Sequence, residues 1–466
     1  MTSDDKNLVI AGLGPHTKRI YIQILKSLDI YPKLIIDIES ARDSVKKFLR
    51  THHINCDLYF VPDKNKDLRR LSEVDKCNIL NLLNKNRINK AIISTEPKAH
   101  VAYAEFFLQQ KITVLMDKPV TAIKNACFED KSAQLIYKEY KHLRDLSIVN
   151  DAPLVIQSQR RYHSGYIFIR ELIKDNLLKY GVPITHIDIY HCDGQWNMPT
   201  EYLTRENHSF HHGYGKVFHS GYHFIDLMSW ILTLNNLLPD KKPNCFTAIH
   251  KTIKPQDQLF HLNDSYVSLF GKEIPKLHQD NFNIMGELDS YSILQFKRNE
   301  RVVTTANLNL LHSGFSRRAW PELANDVYKG NGRVRHERVN IQIGPIFNIQ
   351  VHSYQSYEIK DSVYSKKETE PGGLDHFDIY IFRNSELIGG KPFEKIRVSN
   401  KNRLNRKTHM GHNEEAREKC TVDWLQGNDS ENDVLKHKLS NLILSTLYRC
   451  SAKESAGKFP QIEVSL

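Results

Sequence analysis

The run Ala91-Ile-Ile-Ser-Thr-Glu-Pro-Lys-Ala-His100, followed by Thr113-Val-Leu-Met-Asp117-Lys118-Pro119-Val120, decides the fold. It reads as a buried strand, a loop, a helix over Pro97 to Gln110, a second buried strand, and a lysine held by a proline at that strand's carboxyl end. In open α/β sheets ligands sit just beyond the carboxyl ends of the strands. Lys118 is therefore placed to face a ligand crevice.

Working outward toward the N-terminus, Leu8-Val-Ile-Ala11 is a short apolar strand, and Gly12-Leu-Gly14-Pro-His-Thr17 leads into an amphipathic run with Ile20, Ile24, Leu25 and Leu28 at helical spacing. Gly12 and Gly14 match the first two glycines of the G-x-G-x-x-G dinucleotide fingerprint, in which a tight turn brings the pyrophosphate to a helix N-terminus. Thr17 stands at the third position, and Pro15 removes one amide donor from the turn. The next strand, Lys33-Leu-Ile-Ile-Asp37, ends in a carboxylate 23 residues after Gly14, where the fingerprint places the group that accepts the ribose hydroxyls. A carboxylate repels a 2′-phosphate, so NAD is favoured over NADP, although Arg42 one turn later keeps NADP in view. Asp37 is not needed as a helix cap, because Ser40 fits that role for the helix that follows.

Alternating strands and helices over the first 120 residues specify a parallel sheet with both faces covered. A helix at about Asn125 to Leu146 and a strand at Pro153 to Ser158 complete a first domain, 1–150. Beyond it, 151–466 changes texture: a helix to about Lys179, a strand Thr185 to Cys192, an aromatic and polar stretch from Asp193 to Tyr214, and then Gly213-Tyr-Gly-Lys-Val-Phe-His219-Ser-Gly221-Tyr-His223-Phe-Ile-Asp226. Strands follow at Cys245 to Lys251, Ser265 to Phe270, Ser290 to Lys297, Val302 to Leu311 and Arg338 to Tyr354, which predicts a large, mainly antiparallel open sheet. Polar segments at Lys360 to Gly373 and Lys395 to Asn413 read as loops, and helices at Asn413 to Leu425 and Glu431 to Cys450 close the chain. The fold class is α/β, a dinucleotide-binding domain followed by an α+β domain.

Composition narrows the function. The 466 residues are 40% apolar and 26% charged, as in ordinary globular proteins, and no apolar run approaches the ~18 residues a membrane span needs. The polar, acidic start of the chain predicts a cytoplasmic protein. Seven scattered cysteines, none in C-x-x-C spacing, read as reduced packing residues, and no metal site is expected. A net charge of +11 spread along the chain fits a solvated surface better than a nucleic-acid face, and helps to draw in an anionic substrate.

Together, the two glycines, Asp37, the Ser94-Thr-Glu-Pro-Lys-Ala-His100 loop, Asp117-Lys118-Pro119 and Gly221-Tyr-His223-Phe-Ile-Asp226 resemble the Gfo/Idh/MocA family of oxidoreductases, those of glucose-fructose oxidoreductase and inositol dehydrogenase. The resemblance runs over nearly the whole chain and implies a Rossmann domain, a bound nicotinamide cofactor and a homodimer or homotetramer. It implies a site in which Lys118 polarises the reacting oxygen, His223 is the acid/base, and Thr95, Glu96, Pro97, His100 and Asp117 lie beside the cofactor, with Asp117 where the family usually has Glu. His219 stands where the family most often has aspartate; loss of that carboxylate predicts a lower pKa for His223 and a more electropositive pocket. The expected substrate is thus a sugar, sugar acid, nucleotide-linked sugar or cyclitol, with an acidic group favoured. Arg160, Arg161, Tyr162, Trp196, Tyr202, His211 and His212 are further substrate-contact candidates from overhanging loops. Each of these side chains taken singly reads more simply as packing or solvated surface; the combination carries the function. Redox-neutral NAD-dependent glycoside cleavage and a non-catalytic dinucleotide-binding regulator, for which His219 and Thr17 speak, are the alternatives.

Overall fold

The computed structural model describes residues 7–195, 197, 199–206, 208–262, 282–314, 334–356, 376–398 and 412–466. The chain divides into two compact units: residues 1–122, 136–163 and 412–441 form one, and 123–135, 164–411 and 442–466 the other. Against the single boundary expected at 150, each unit draws in a distant part of the chain. The helix His412–Gln426 supplies the reason in the first unit, since its Ala416, Cys420, Trp424 and Leu425 are buried in that unit's core.

The first unit is built on a parallel sheet of β1 (Leu8–Ala11), β2 (Leu34–Ile38), β3 (Asp57–Val61), β4 (Lys90–Ile93), β5 (Thr113–Asp117) and β6 (Leu154–Gln157), in the order β3-β2-β1-β4-β5-β6. Alternate residues of these strands feed two separate apolar clusters. Val9, Ala11, Ile36, Ala91, Ile93, Val114 and Met116 face one, and Leu8, Ile10, Ile35, Ile92 and Leu115 the other. Burial on both faces is why the strands read as continuous apolar runs. The order reverses direction between β1 and β4, the switch point where a doubly wound sheet opens a crevice at its carboxyl edge.

The second unit holds a sheet that, among the described residues, has the order β14-β13-β12-β11-β7-β10-β9-β8-β15. Its strands are β7 (Ile184–Cys192), β8 (Cys245–Ile253), β9 (Asp289–Arg298), β10 (Arg301–Leu311), β11 (Val334–Ile343), β12 (Phe347–Ser356), β13 (His376–Arg383), β14 (Phe393–Arg397) and β15 (Gln461–Ser465). All neighbours are antiparallel except β7 and β10. Along β9 buried Ser292, Leu294 and Phe296 alternate with exposed Tyr291, Ile293 and Gln295, so one face packs and one is open.

Several expectations are corrected. Arg338 to Tyr354 is a hairpin, β11 and β12 joined through Gly344 at φ +46°; its Gly344-Pro345 pair is the turn signal. The polar stretch from Lys395 begins inside β14 and ends inside the helix His412–Gln426, while 399–411, like 360–373 and the expected strand Ser265 to Phe270, lies outside the described residues. The helix expected from Asn125 starts at Asp130. The last helix is Lys438–Ser455, preceded by a 3-10 turn. Ser40 caps nothing: it sits in the 3-10 turn Glu39–Ala41 and its hydroxyl donates to Asp63 Oδ1 at 2.6 Å. No helix among the described residues is long and apolar enough to cross a membrane, and all seven cysteines are free thiols.

At the end of β1, Gly12 has φ +89°, and a Cβ there would come within 2.6 Å of the Ser94 carbonyl oxygen at the end of β4. The Gly12→Ala variant is expected to lose about 1–3 kcal/mol of stability, read from urea unfolding; unchanged stability would show that the strand ends relax freely.

Candidate functional site

In the first unit the sequence motifs converge on the carboxyl ends of β1, β2, β4 and β5. Gly12 N donates to Ile36 O at 2.8 Å and Ser94 N to Ala11 O at 2.9 Å, which sets the turn tightly between β2 and β4. Gly14 has open space where a side chain would be. Thr17 explains how the third glycine is replaced: it is fully buried, and its hydroxyl donates to Gly12 O at 2.7 Å, tying the short helix Pro15–Arg19 back onto the turn.

Asp37 ends β2 with one oxygen accepting from Leu13 N and the other from Ile38 N, both at 2.8 Å. Burial raises its pKa, and the two amides act against that shift. Each oxygen keeps a further lone pair for a hydroxyl donor. Arg42, the group that kept NADP in view, is engaged in two hydrogen bonds to Glu39, at 2.5 and 2.6 Å, and lies 4.3 Å over the Phe60 ring.

Asp117 is the polar node of this edge. Tyr21 Oη donates to Oδ1 and Ser94 Oγ to Oδ2, each at 2.5 Å, while His16 Nε2 lies 3.8 Å from Oδ1. Burial, followed by the Asp117 charge, pushes the Tyr21 phenol well above its ordinary pKa, so it stays a donor. Lys118 follows, half-buried, and its peptide to Pro119 is cis. His100 is fully buried with Nδ1 2.8 Å from Pro119 O and Nε2 3.1 Å from Thr95 O, and burial lowers its pKa. This corrects its expected part: His100 packs between the Thr95 loop and the Lys118-Pro119 segment, each ring nitrogen beside a backbone carbonyl and its single N–H donating to one of them. Glu96 is exposed, and Thr95 and Pro97 are half-buried in that loop.

In the second unit the glycine-histidine motif forms a π-helical turn, Val217–Gly221, that runs into the helix Tyr222–Leu232. A buried carboxyl group caps it. The Glu287 backbone oxygen accepts from Lys216 N at 2.9 Å, Glu287 Oε1 accepts from Val217 N at 2.8 Å, and Phe218 N donates to Tyr448 Oη at 3.1 Å. These are the first-turn amides that a helix leaves without internal partners. Glu287 also accepts from Tyr448 Oη and Cys127 Sγ, both at 2.8 Å, and burial raises its pKa.

Lys216 is wholly buried. Its ammonium donates to Asp193 Oδ2 at 2.6 Å, Ser220 Oγ at 2.8 Å and His191 Nδ1 at 2.9 Å, one partner for each proton. Ser220 Oγ donates to the same Asp193 oxygen at 2.5 Å, and His312, whose pKa burial lowers, lies 3.6 Å from it. This cluster fixes the turn that carries His219 and His223. Both histidines are buried; the His219 ring packs edge-on against Phe210, His208 and Tyr214 at 5.2, 4.9 and 6.0 Å between centroids. Sequence reasoning missed Lys216, Asp193, His191, His312 and Glu287. Only Lys216 left a signal, a lysine between Gly215 and Val217 in an otherwise apolar run.

Four substrate-contact candidates turn out to be packing residues. Arg161 is buried in the first unit, where Nη1 donates to Glu431 O at 2.9 Å and Nη2 lies 3.3 Å from both Lys436 O and His437 Nδ1. Beside it Tyr162 Oη meets Ser430 Oγ at 3.0 Å, and Arg160 is buried too. Tyr202 is buried edge-on against Phe210 and Phe282 in the second unit, its hydroxyl donating to Gln258. Trp196 lies outside the described residues.

The strand order and the glycine turn give the first unit a Rossmann-type fold. Residues 41–134 match the model of the Gfo/Idh/MocA oxidoreductase family, NAD-binding Rossmann fold, and the resemblance expected from the motifs is borne out. The whole chain has the fold of several solved structures. One is an oxidoreductase from Agrobacterium radiobacter in complex with NAD+, L-tartaric acid and magnesium, at 12% identity and TM-score 0.58, covering 98% of each chain. Another is the WlbA dehydrogenase from Bordetella pertussis in complex with NADH and UDP-GlcNAcA, at 11% identity and TM-score 0.54, covering 99% of this chain and 98% of that one. A third is the aldose-aldose oxidoreductase from Caulobacter crescentus, at 12% identity and TM-score 0.54, covering 99% of both. No curated protein sequence matches the chain.

The Lys216–Asp193 pair gives a direct test. Lys216→Met leaves a buried aspartate without its ammonium and is expected to cost about 3–5 kcal/mol in urea unfolding. The double variant Lys216→Met/Asp193→Asn is expected to recover much of that loss. Additive losses would mean the two groups do not depend on each other.

Proposed function

We propose that the protein is an NAD-dependent dehydrogenase or reductase that transfers hydride between nicotinamide and a carbinol or carbonyl carbon of a sugar, sugar acid, nucleotide-linked sugar or cyclitol-like substrate. The observation that carries the reading is the polar edge of the first unit: Gly12, Gly14, Asp37, Thr95 and Asp117-Lys118 at the carboxyl ends of neighbouring parallel strands. Gly12, Gly14 and Thr17 form the turn proposed for the pyrophosphate, and Asp37 is proposed to accept the ribose hydroxyls. The Glu39–Arg42 pair supports NAD over NADP, because a 2′-phosphate would have to compete with Glu39 for the guanidinium.

The roles of Lys118 and His223 rest on their motifs and on the demands of the reaction. The cofactor accepts or returns a hydride. Removing hydride from a carbinol carbon requires the hydroxyl proton to leave, and an imidazole titrating near neutrality suits that transfer. An ammonium donating to the same oxygen stabilises its alkoxide character. His219 is proposed to tune or relay, and Asp117, fixed by Tyr21 and Ser94, to hold the backbone of Lys118 in place. The open sheet face bearing Tyr291, Ile293 and Val302 supports self-association as a homodimer or homotetramer.

A panel of neutral polyols, sugars and their acidic counterparts, followed by NADH fluorescence, tests this reading. Net NADH formation with an acidic substrate is expected; equal turnover of neutral and acidic partners would remove the anionic preference. With the substrate found, His223→Ala is expected to lower kcat by about 10²–10⁴-fold and Lys118→Ala by about 10²–10³-fold, with NADH binding retained. Dinucleotide binding without turnover of any panel member, indifferent to Lys118→Ala, would instead make the protein a sensor.

A further inference from the structure

We propose that Glu206, His211 and His212 form a binding site for a divalent transition-metal ion of the zinc type. The three residues lie in the second unit, in the loop between the short helix Pro199–Thr204 and the π-helical turn. Glu206 Oε1 is 3.8 Å from His211 Nε2 and its Oε2 is 3.8 Å from His212 Nε2; one ligand atom from each residue lies within 4.8 Å of the others. Around zinc, with bonds of about 2.0–2.1 Å, tetrahedral ligand atoms stand roughly 3.4 Å apart. The glutamate–histidine distances must close by about 0.4 Å and no pair by more than about 1.4 Å, so small shifts of the Glu206 and histidine side chains would complete the set.

His211 and His212 are the central residues of a turn, and their rings are 4.3 Å apart between centroids, tilted by 57°. The backbone that brings them together is pinned. Asn125 N donates to His212 O at 2.8 Å, Cys127 N to Gly213 O at 3.1 Å and Gly213 N to Phe210 O at 3.1 Å. Gly213 adopts φ +73°, and a Cβ there would come 2.8 Å from Asn125 Cα.

The donor chemistry agrees. Ser209 Oγ lies 3.0 Å from His211 Nδ1 and 3.4 Å from its Nε2, a polar neighbour beside the ring that Glu206 also faces. A pair of protonated imidazoles on Glu206 is the competing explanation, but 3.8 Å is well beyond the ~2.7–2.9 Å of a charge-assisted hydrogen bond. His212 and His211 side chains are 12% and 26% exposed and Glu206 66%, so the imidazoles form the floor and the carboxylate the open side. Two imidazoles with one carboxylate select zinc, nickel or cobalt over magnesium or calcium and leave the fourth position to water. This departs from the expectation that the chain has no metal site, and it stands apart from the hydride-transfer proposal.

Calorimetric titration of the chelator-stripped full chain with zinc chloride tests it. One equivalent is expected to bind at about pH 7.5 and to weaken as the pH falls to about 5.5, because an imidazole ligates a metal only in its deprotonated form. His211→Ala/His212→Ala is expected to abolish that equivalent. Glu206→Ala, at an exposed position that leaves folding intact, is expected to weaken it by at least about tenfold. No zinc bound by the unaltered protein, or binding that survives in both variants and so belongs to the thiols, would overturn the assignment.

Discussion

Burial of both faces of the six-stranded parallel sheet is the constraint from which the first unit follows. With Val9, Ile36, Ile93 and Val114 facing one apolar cluster and Ile10, Ile35, Ile92 and Leu115 the other, the middles of β1, β2, β4 and β5 carry no polar side chain. Polar chemistry is displaced to their carboxyl ends, where Gly12, Asp37, Ser94 and Asp117 stand. There the side chains satisfy one another: Asp117 between Tyr21 and Ser94, Asp37 between two backbone amides. The edge is therefore held in place by the fold, before any ligand arrives.

The second unit solves a different problem. Its glycine-histidine turn is buried, and a buried helix start exposes amides to no solvent. Glu287 and Tyr448 supply the missing acceptors, and Gly215 is required because a Cβ there would fall 2.0 Å from the Glu287 carbonyl oxygen. Lys216 with Asp193, Ser220 and His191 adds a charged cluster whose every ammonium proton has a partner. Such a cluster is costly to desolvate and strongly destabilising to break, which makes it a device for a single geometry more than for stability.

Much of the first unit was legible because its signals are local. Strand, glycine turn and helix follow one another within a few residues, and the carboxylate of Asp37 falls at a fixed distance from Gly14. The candidates taken from loops fared worse. Arg161, Tyr162 and Tyr202 carry polar groups that suit a ligand equally well, and only the partners at Glu431, Ser430 and Gln258 show that those groups are spent on packing. His100 likewise lies in the expected loop, but its ring bridges two backbone carbonyls that are 24 residues apart in sequence.

By itself the sequence determined the α/β class, the glycine turn after the first strand, the position of Asp117-Lys118 at a strand end and the mainly antiparallel second sheet. Periodicity and turn chemistry are properties of short windows, so these need no knowledge of distant chain. Only the tertiary structure decided that the helix His412–Gln426 belongs to the first unit's core, that Glu287 caps the turn before His223, and that Glu206, His211 and His212 converge. Those depend on which distant groups burial forces together, and a buried carboxylate, lysine or imidazole is recognisable in the sequence only once its partner is known.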